Sequence, residues 1–456
     1  MKKKMTLCIA TAVLSPVIII CLLMAGLCSA GSTGNYQLHE DIESISYAQI
    51  ANVTYEGYIV DNINVLDELS QDDARELAHK LCSLECRYIN PPEYDVESIS
   101  AIFYYSDGNY EIISQKSNRN IIDGSTRYGH LVFDEDEFEA LLMSAANISS
   151  HDGILYRIDD KAAHVCGCDK SLTDGVILPE VDGARVLSVD NNAFYGCDSL
   201  DSIVIPDGIE RIGSCAFCEC GRLTNVMIPD SITEIGECAF MRCTGLKKAT
   251  LSKNLSQIPR GLFAQCHSLE SIVIPDSVTE IGESAFYECS TLRSIMIPDS
   301  VTRITGDAFS DCANLTDIVL SENITHLGDS CLFAGCKSLK SITIPDNVTD
   351  LGLYTFCRCE SLKSITIPEN VKSICESVFK GCVSLESVEL PDGLQGIYKF
   401  AFEDCKSLSY LTVPDSVTNI DPDAFEGCDI TIKCSKGSYA WEYCQQNNIR
   451  TDTIDN

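Results

Sequence analysis

Basic residues are scarce in this chain of 456 residues, which has 33 Lys and Arg against 67 Asp and Glu. The formal net charge is −34 at pH 7. Nucleic acids and anionic membrane surfaces are bound through clustered Lys and Arg. The charge balance therefore argues against both as the main partner, and it fits a well-solvated surface.

Catalytic motifs are also missing. The sequence has no GxSxG, HExxH, phosphate-binding or GxGxxG motif in a suitable context. Its seven histidines are scattered, and none lies in a motif with a nucleophile: His39, His79, His130, His151, His164, His267 and His326. We therefore expect no enzymatic activity, no cofactor and no bound metal.

The N-terminus has the pattern of a secretory leader. Lys2, Lys3 and Lys4 precede an uncharged apolar stretch from Met5 to Leu27, and small residues follow. This pattern predicts a signal peptide over residues 1–30 and a secreted or cell-surface protein. The alternative is an uncleaved signal anchor, because the stretch is long enough to span a bilayer. No other membrane contact is expected.

A repeat dominates the rest of the chain. Phe followed by Cys three residues later occurs eleven times from Phe194 to Phe425. Every step is 23 residues except that from Phe309 to Phe333, which is 24. Such a period is the sequence signature of a solenoid, in which stacked coils share one apolar interior.

One unit, Cys266 to Phe286, shows what each position does. Alternation places Ile272 and Ile274 on one face of a short strand and Val273 on the other. The strand ends before a proline, and Gly282 is where a tight bend is expected. The residues predicted to face the interior are Leu269, Ile272, Ile274, Val278, Ile281 and Phe286.

The run IPDSVTEIGESAFYEC, from Ile274 to Cys289, resembles the repeat of the BspA-like leucine-rich repeat proteins. The resemblance extends from about Gly153 to the C-terminus. It implies a repeat solenoid: a leucine-rich-repeat-type stack of about eleven 23-residue coils with short parallel strands. The patterns in residues 31–150 predict a small α+β domain of unknown role before it. The expected boundaries are 1–30 for the signal peptide, 31–150 for the α+β domain, 151–428 for the solenoid (151–193 being its N-terminal cap or degenerate coil) and 429–456 for the C-terminal cap.

Some coils depart from the repeat. Ser252 and Ser321 replace the proline, and the extra residue before Phe333 predicts a local irregularity. The glycine is replaced in three coils by Pro259, Thr305 and Cys375.

Most cysteines follow the repeat. Eleven lie one per coil, where we expect reduced, buried, structural thiols, because parallel inward side chains have poor geometry for disulfides. They are Cys197, Cys220, Cys243, Cys266, Cys289, Cys312, Cys336, Cys359, Cys382, Cys405 and Cys428. Cys434 and Cys444, near the C-terminus, form a candidate disulfide.

Residues 31–150 contain no repeat. Apolar spacing predicts a helix from Asp67 to Cys86 and a second from Asp136 to Ala146. Ile99 to Tyr105 and Asn109 to Ser114 flank a turn and predict a hairpin, and His130 to Phe133 predicts a third strand. An enzyme or inhibitor here, with the repeats as scaffold, is the alternative to a binding function.

The outward strand position suggests where binding occurs. In the first six coils it is occupied by Val204, Met227, Thr250, Val273, Met296 and Val319, and in the next four by Thr343, Thr366, Glu389 and Thr412. The first set predicts an exposed apolar stripe with a polar rim at Asn225, Lys248, Arg293 and Asp317, facing a protein or glycan at a cell or matrix surface. The alternative is that Val and Met merely suit a strand.

Overall fold

The computed structural model describes residues 147–159 and 161–454, and the backbone of strands between residues 33 and 132. The predicted signal peptide lies outside the described residues. The chain divides into two units, Met1–Ser149 and Ser150–Asn456.

The first unit contains antiparallel strands. One sheet has four strands, in the order Ile59–Leu69, Ile45–Glu56, Glu97–Tyr105 and Tyr110–Ser114. The other strands pair in two groups, Thr33–Asn35 with Glu85–Ile89 and His130–Val132, and Arg119–Ile122 with Ser125–Tyr128. The pairing of Ser100 with Ser114 confirms the predicted hairpin, and the strand at His130 is confirmed as well.

The helix predicted from Asp67 to Cys86 is wrong at both ends. Strand Ile59–Leu69 continues through Asp67, and strand Glu85–Ile89 has begun before Cys86. Cross-strand pairing of Asp67 with Ile50 has overridden the local helical periodicity. The middle of the predicted helix and the helix predicted from Asp136 to Ala146 lie outside the described residues.

The second unit opens with a cap of longer strands. Its first three strands are Ile148–His151, Ile154–Asp159 and Ala162–Cys168. A later strand, Ala184–Val189, pairs in parallel with Ala162–Cys168 and antiparallel with Glu180–Val181. Strand Ile154–Asp159 runs antiparallel to Ala162–Cys168. Strand Ala184–Val189 also pairs in parallel with Arg211–Ile212 of the first coil, so the cap and the coils share one sheet.

Each regular coil contributes up to two short parallel strands. We call the first set front strands: Asp174–Val176, Ser202–Val204, Asn225–Met227, Lys248–Thr250, Ser294–Met296, Asp317–Val319, Ser364–Thr366, Ser387–Glu389 and Tyr410–Thr412. The back strands are Arg211–Ile212, Glu234–Ile235, Gln257–Ile258, Glu280–Ile281, Arg303–Ile304, Ser373–Ile374, Gly396–Ile397 and Asn419–Ile420. Single bridges through Ser271 connect the front strands at Lys248 and Ser294.

The apolar positions of the repeat fill the interior. In the unit from Cys266 to Phe286, all six residues predicted to face inward are at most 6% exposed. The eleven repeat phenylalanines stack ring on ring, with centroids 4.8 to 5.9 Å apart. The predicted solenoid is therefore confirmed, with one continuous core.

The repeat glycine serves close packing. At Gly282 an added Cβ would lie 2.7 Å from the backbone nitrogen of Arg260 in the preceding coil. The left-handed bend falls two residues later, at Ser284 with φ 55°. The expectation that Gly282 supplies the tight bend is therefore wrong. A glycine is needed here because the backbone of the preceding coil leaves no room for a Cβ atom.

The two serines that replace proline are fully buried and hydrogen-bonded. Ser252 Oγ donates to the carbonyl of Ile232, and Ser321 Oγ to that of Val301, each over 2.6 Å. In the 24-residue coil, isolated bridges replace the back strands, at His326 with Asp350 and Ser330 with Leu353. The extra residue therefore produces the predicted irregularity.

A short helix closes the stack. Strand Thr431–Ser435 pairs with the last front strand, and helix α1 (Tyr439–Asn447) follows. Ser438 caps the helix by accepting from the backbone N–H of Trp441, and strand Arg450–Ile454 then pairs in parallel with Thr431–Ser435. Tyr443 contacts the last phenylalanine ring, so the cap covers the open end of the core.

Replacing Phe286 with Ala is expected to destabilise the solenoid by about 3 to 5 kcal/mol, because it leaves a cavity in the middle of the ring stack. Phe400 is the matched control. It is partly exposed beside Lys399 and lies outside the stack. Phe400→Ala should cost under about 1 kcal/mol. Urea unfolding followed by circular dichroism measures both, and equal losses would contradict the role of the stack.

Candidate binding face

The front strands present two outward rows of side chains. Along each strand the middle residue is buried and its two neighbours are exposed, as at Ser294–Met296. Side chains on the same face of a strand are about 7 Å apart, and neighbouring strands are about 4.8 Å apart. The outer surface is therefore a regular grid whose chemistry depends on the residue that each coil contributes.

One row of this grid is largely apolar. We call it the apolar stripe: Val176, Val204, Met227, Val273, Met296 and Val319, between 54% and 80% exposed. Backbone pairing aligns its members, Val176 with Val204 and Met296 with Val319. Large apolar side chains exposed side by side are typical of an interaction surface.

The structure exposes every residue predicted for this face, and Thr250 divides the stripe. Thr250 lies between Met227 and Val273 with Lys248 on the same strand, so its coil is polar. Val176 extends the stripe by one coil and was missed by the sequence prediction. The sequence does contain a signal for it: the apolar run before Pro179 resembles the end of a front strand, where an outward residue precedes the proline.

A second row, of acidic residues, follows the proline position of each coil. The acidic row consists of Asp207, Asp230, Asp276, Asp299, Glu322, Asp346, Glu369, Asp392 and Asp415, all of them exposed. Lys253 occupies this position in the polar coil and pairs with Asp230 at 3.1 Å. Among the ion pairs of the described residues, only this one, between Lys253 and Asp230, includes a member of the acidic row. The sequence prediction overlooked the row, although its 23-residue spacing is visible in the sequence.

The face changes character after the 24-residue coil. Thr343 and Thr366 replace the valines and methionines, and Thr366 donates a hydrogen bond to Glu389 at 2.9 Å. A shallow groove of about 460 Å³ lies here, and its lining combines hydroxyl groups and carboxylates, including Ser341, Ser364 and Asp346, with three isoleucines and a proline. One face thus carries an apolar half and a polar half.

The repeat cysteines lie inside the coils. We call the eleven predicted residues, from Cys197 to Cys428, the thiol row. From Cys220 onward, each Sγ donates to the carbonyl of the repeat phenylalanine in the preceding coil, at 2.9 to 3.2 Å. None of the eleven forms a disulfide, and all but Cys428 are fully buried.

Burial raises the pKa of the thiols from Cys220 to Cys382, whereas a hydrogen bond with Cys405 lowers the pKa of Cys428. The pKa of Cys243 and of Cys312 is raised to about 12 by desolvation. Cys434 and Cys444 are also buried, and the pKa of Cys444 is raised to about 12, first by burial and then by the neighbouring Cys434. Both are free thiols in the structure, so the disulfide between them stays a prediction.

Comparison with known families agrees with this repeat. A model described as "BspA type Leucine rich repeat region (6 copies)" matches residues 187–316 and 306–432, more than half of the chain. The chain belongs to this BspA-type leucine-rich repeat family. Among curated proteins, no match was found.

Solved structures of leucine-rich repeat proteins are similar to this chain. A leucine-rich cell surface protein from Faecalibacterium prausnitzii is 26% identical, with 68% of this chain and 98% of that one covered and a TM-score of 0.42. A T. pallidum leucine-rich repeat protein is 27% identical over 47% and 90%, with a TM-score of 0.36. One from Bacteroides ovatus is 23% identical over 67% and 100%, with a TM-score of 0.35.

Within the part of the chain that the structure describes, no helix is long and apolar enough to cross a membrane. In that same part, no group of three or more His, Cys, Asp or Glu side chains is arranged to hold a metal ion.

The thiol row makes the stability of the reduced solenoid pH-dependent. The buried thiols have a raised pKa, whereas in the unfolded chain they ionise near pH 8.5. Stability is therefore fully present below about pH 8.5 and lost as pH rises toward about 12, by about 1.4 kcal/mol per pH unit for each buried thiol.

Urea unfolding between pH 7 and pH 9.5 under reducing conditions measures this loss. A double variant, Cys266→Ala and Cys289→Ala, is the control and should show a shallower pH dependence, although its stability at pH 7 is lower. A urea concentration at the unfolding midpoint that does not change with pH would contradict the burial of protonated thiols.

Proposed function

We propose that this chain is a secreted or surface-exposed binding protein, not an enzyme, which adheres to a protein or glycan partner through its apolar stripe. The leader sequence supports export, and membership of the BspA-type family supports a location at the cell surface. The observation that carries the proposal is the row of exposed valines and methionines on the front strands and at the equivalent position of the coil that contains Val273.

The fold itself does not require these apolar side chains. Thr343, Thr366 and Thr412 occupy the same outward position in later coils, whose interiors are packed in the same way. Strand propensity is satisfied by threonine as well as by valine. Exposed apolar groups gain about 25 cal/mol for each Å² that a partner removes from water. Binding therefore accounts for the stripe better than strand formation does.

The double variant Val273→Ser and Met296→Ser tests the proposal. Neither side chain faces the core, so the unfolding midpoint should change little, by about 0.5 kcal/mol or less for each surface substitution. Attachment should fall about tenfold, because two central apolar contacts are lost. The measurement is attachment of the full chain to immobilised matrix proteins, glycan arrays and cultured cells.

The matched control is Thr343→Ser with Thr366→Ser, which changes the same position in the polar half of the face. This control should attach like the unmodified chain. Unchanged attachment of the Val273 and Met296 variant, with native stability, would remove the apolar stripe as the binding surface.

A further inference from the structure

The acidic row runs beside the apolar stripe through three consecutive coils. Val273, Met296 and Val319 are each followed three residues later by an exposed acid: Asp276, Asp299 and Glu322. Three residues of extended chain span about 10 Å. A partner that covers the stripe in these coils therefore places its flank over a line of carboxylates.

These carboxylates determine the charge that a partner must carry. Among the described ion pairs none involves Asp276, Asp299 or Glu322, although Asp299 accepts a backbone hydrogen bond from Glu322 at 3.2 Å. Covering the stripe would bring a partner's flank against these charges. An acidic flank would be repelled, whereas a basic flank would gain electrostatic complementarity. The chain's charge of −34 adds long-range attraction for a basic partner.

The spacing of the coils indicates the partner's backbone. Coils repeat at about 4.8 Å, close to the 5.4 Å rise of one α-helical turn. Over the two steps from Val273 to Val319 the mismatch is only about 1 Å. An extended strand places same-face side chains about 6.8 Å apart, and the mismatch would reach about 4 Å. A helix laid along the stripe can therefore seat one apolar side chain on each coil.

We infer that the apolar stripe from Val273 to Val319 binds a basic amphipathic helix of a protein partner. This inference rests on the proposed function and specifies its partner class. Apolar residues at positions i, i+3 or i+4 and i+7 contact Val273, Met296 and Val319. Lys or Arg residues on the flank reach Asp276, Asp299 and Glu322, and their long aliphatic stems cover the edge of the stripe.

A synthetic peptide tests this directly. The probe is a fluorescein-labelled helix of about 18 residues, with Leu on one face and Lys on both flanks. One control peptide has the same composition in scrambled order, and a second has Glu in place of Lys. Fluorescence anisotropy with the full chain should show saturable binding of the probe, and binding at least about tenfold weaker for both controls.

Charge variants of the protein then locate the site. Asp276→Asn with Glu322→Gln should weaken probe binding by about fivefold or more. The matched control, Glu369→Gln with Asp392→Asn, removes the same charge from the same row beside the polar half and should change binding less than about twofold. Val273→Ser with Met296→Ser should weaken it at least as much as the first pair.

Three results would overturn the inference. The first is that the probe does not bind. The second is that the scrambled peptide binds as tightly as the probe, and the third is that both pairs of charge variants lose the same amount of probe binding. Either of the last two would mean that net charge alone attracts the peptide. The proposed function fails separately, if the Val273 and Met296 variant keeps its attachment to matrix, glycans and cells. If that attachment is lost while the probe does not bind, the stripe is the binding surface and only the partner class is wrong.

Discussion

A single coil of this protein cannot bury its own apolar side chains, and the rest of the structure depends on that constraint. Each coil is one layer thick, so its interior is covered only when a second coil lies on either side. The phenylalanine column shows this clearly, because each ring between Phe217 and Phe402 is sandwiched between two others and is fully buried. At the C-terminal end, Tyr443 takes the place of the missing neighbour.

Stacking also explains why a cysteine recurs in every coil. The carbonyl of each repeat phenylalanine accepts the backbone N–H of the cysteine in its own coil and keeps a second lone pair that faces the next coil. The thiol of the next coil donates to it, for example from Cys289 to Phe263 at 3.2 Å. A thiol is small and apolar enough for a buried position and still supplies one hydrogen. The same desolvation keeps these thiols protonated and makes alkaline pH unfavourable for the fold.

Because the interior is fixed by the repeat, variation is concentrated on the outside of the front strands. The outward strand position is valine or methionine in six coils, threonine or glutamate in five others, and lysine in the cap strand. The acid after the proline recurs whether its neighbour is Val273 or Thr366. The combination of exposed apolar side chains with an unpaired acidic edge is therefore particular to some coils, and it is where we place binding.

The repeat itself determined much of this protein. Its spacing predicted the coils, the inward residues and the exposed stripe, because a period of 23 residues repeats the same environments. The tertiary structure alone decided which neighbour each position meets. It showed that Gly282 avoids a neighbouring backbone, that Ser252 and Ser321 bond across coils, and that Asp67 belongs to a strand. These features depend on contacts between residues distant in sequence, which local patterns do not encode.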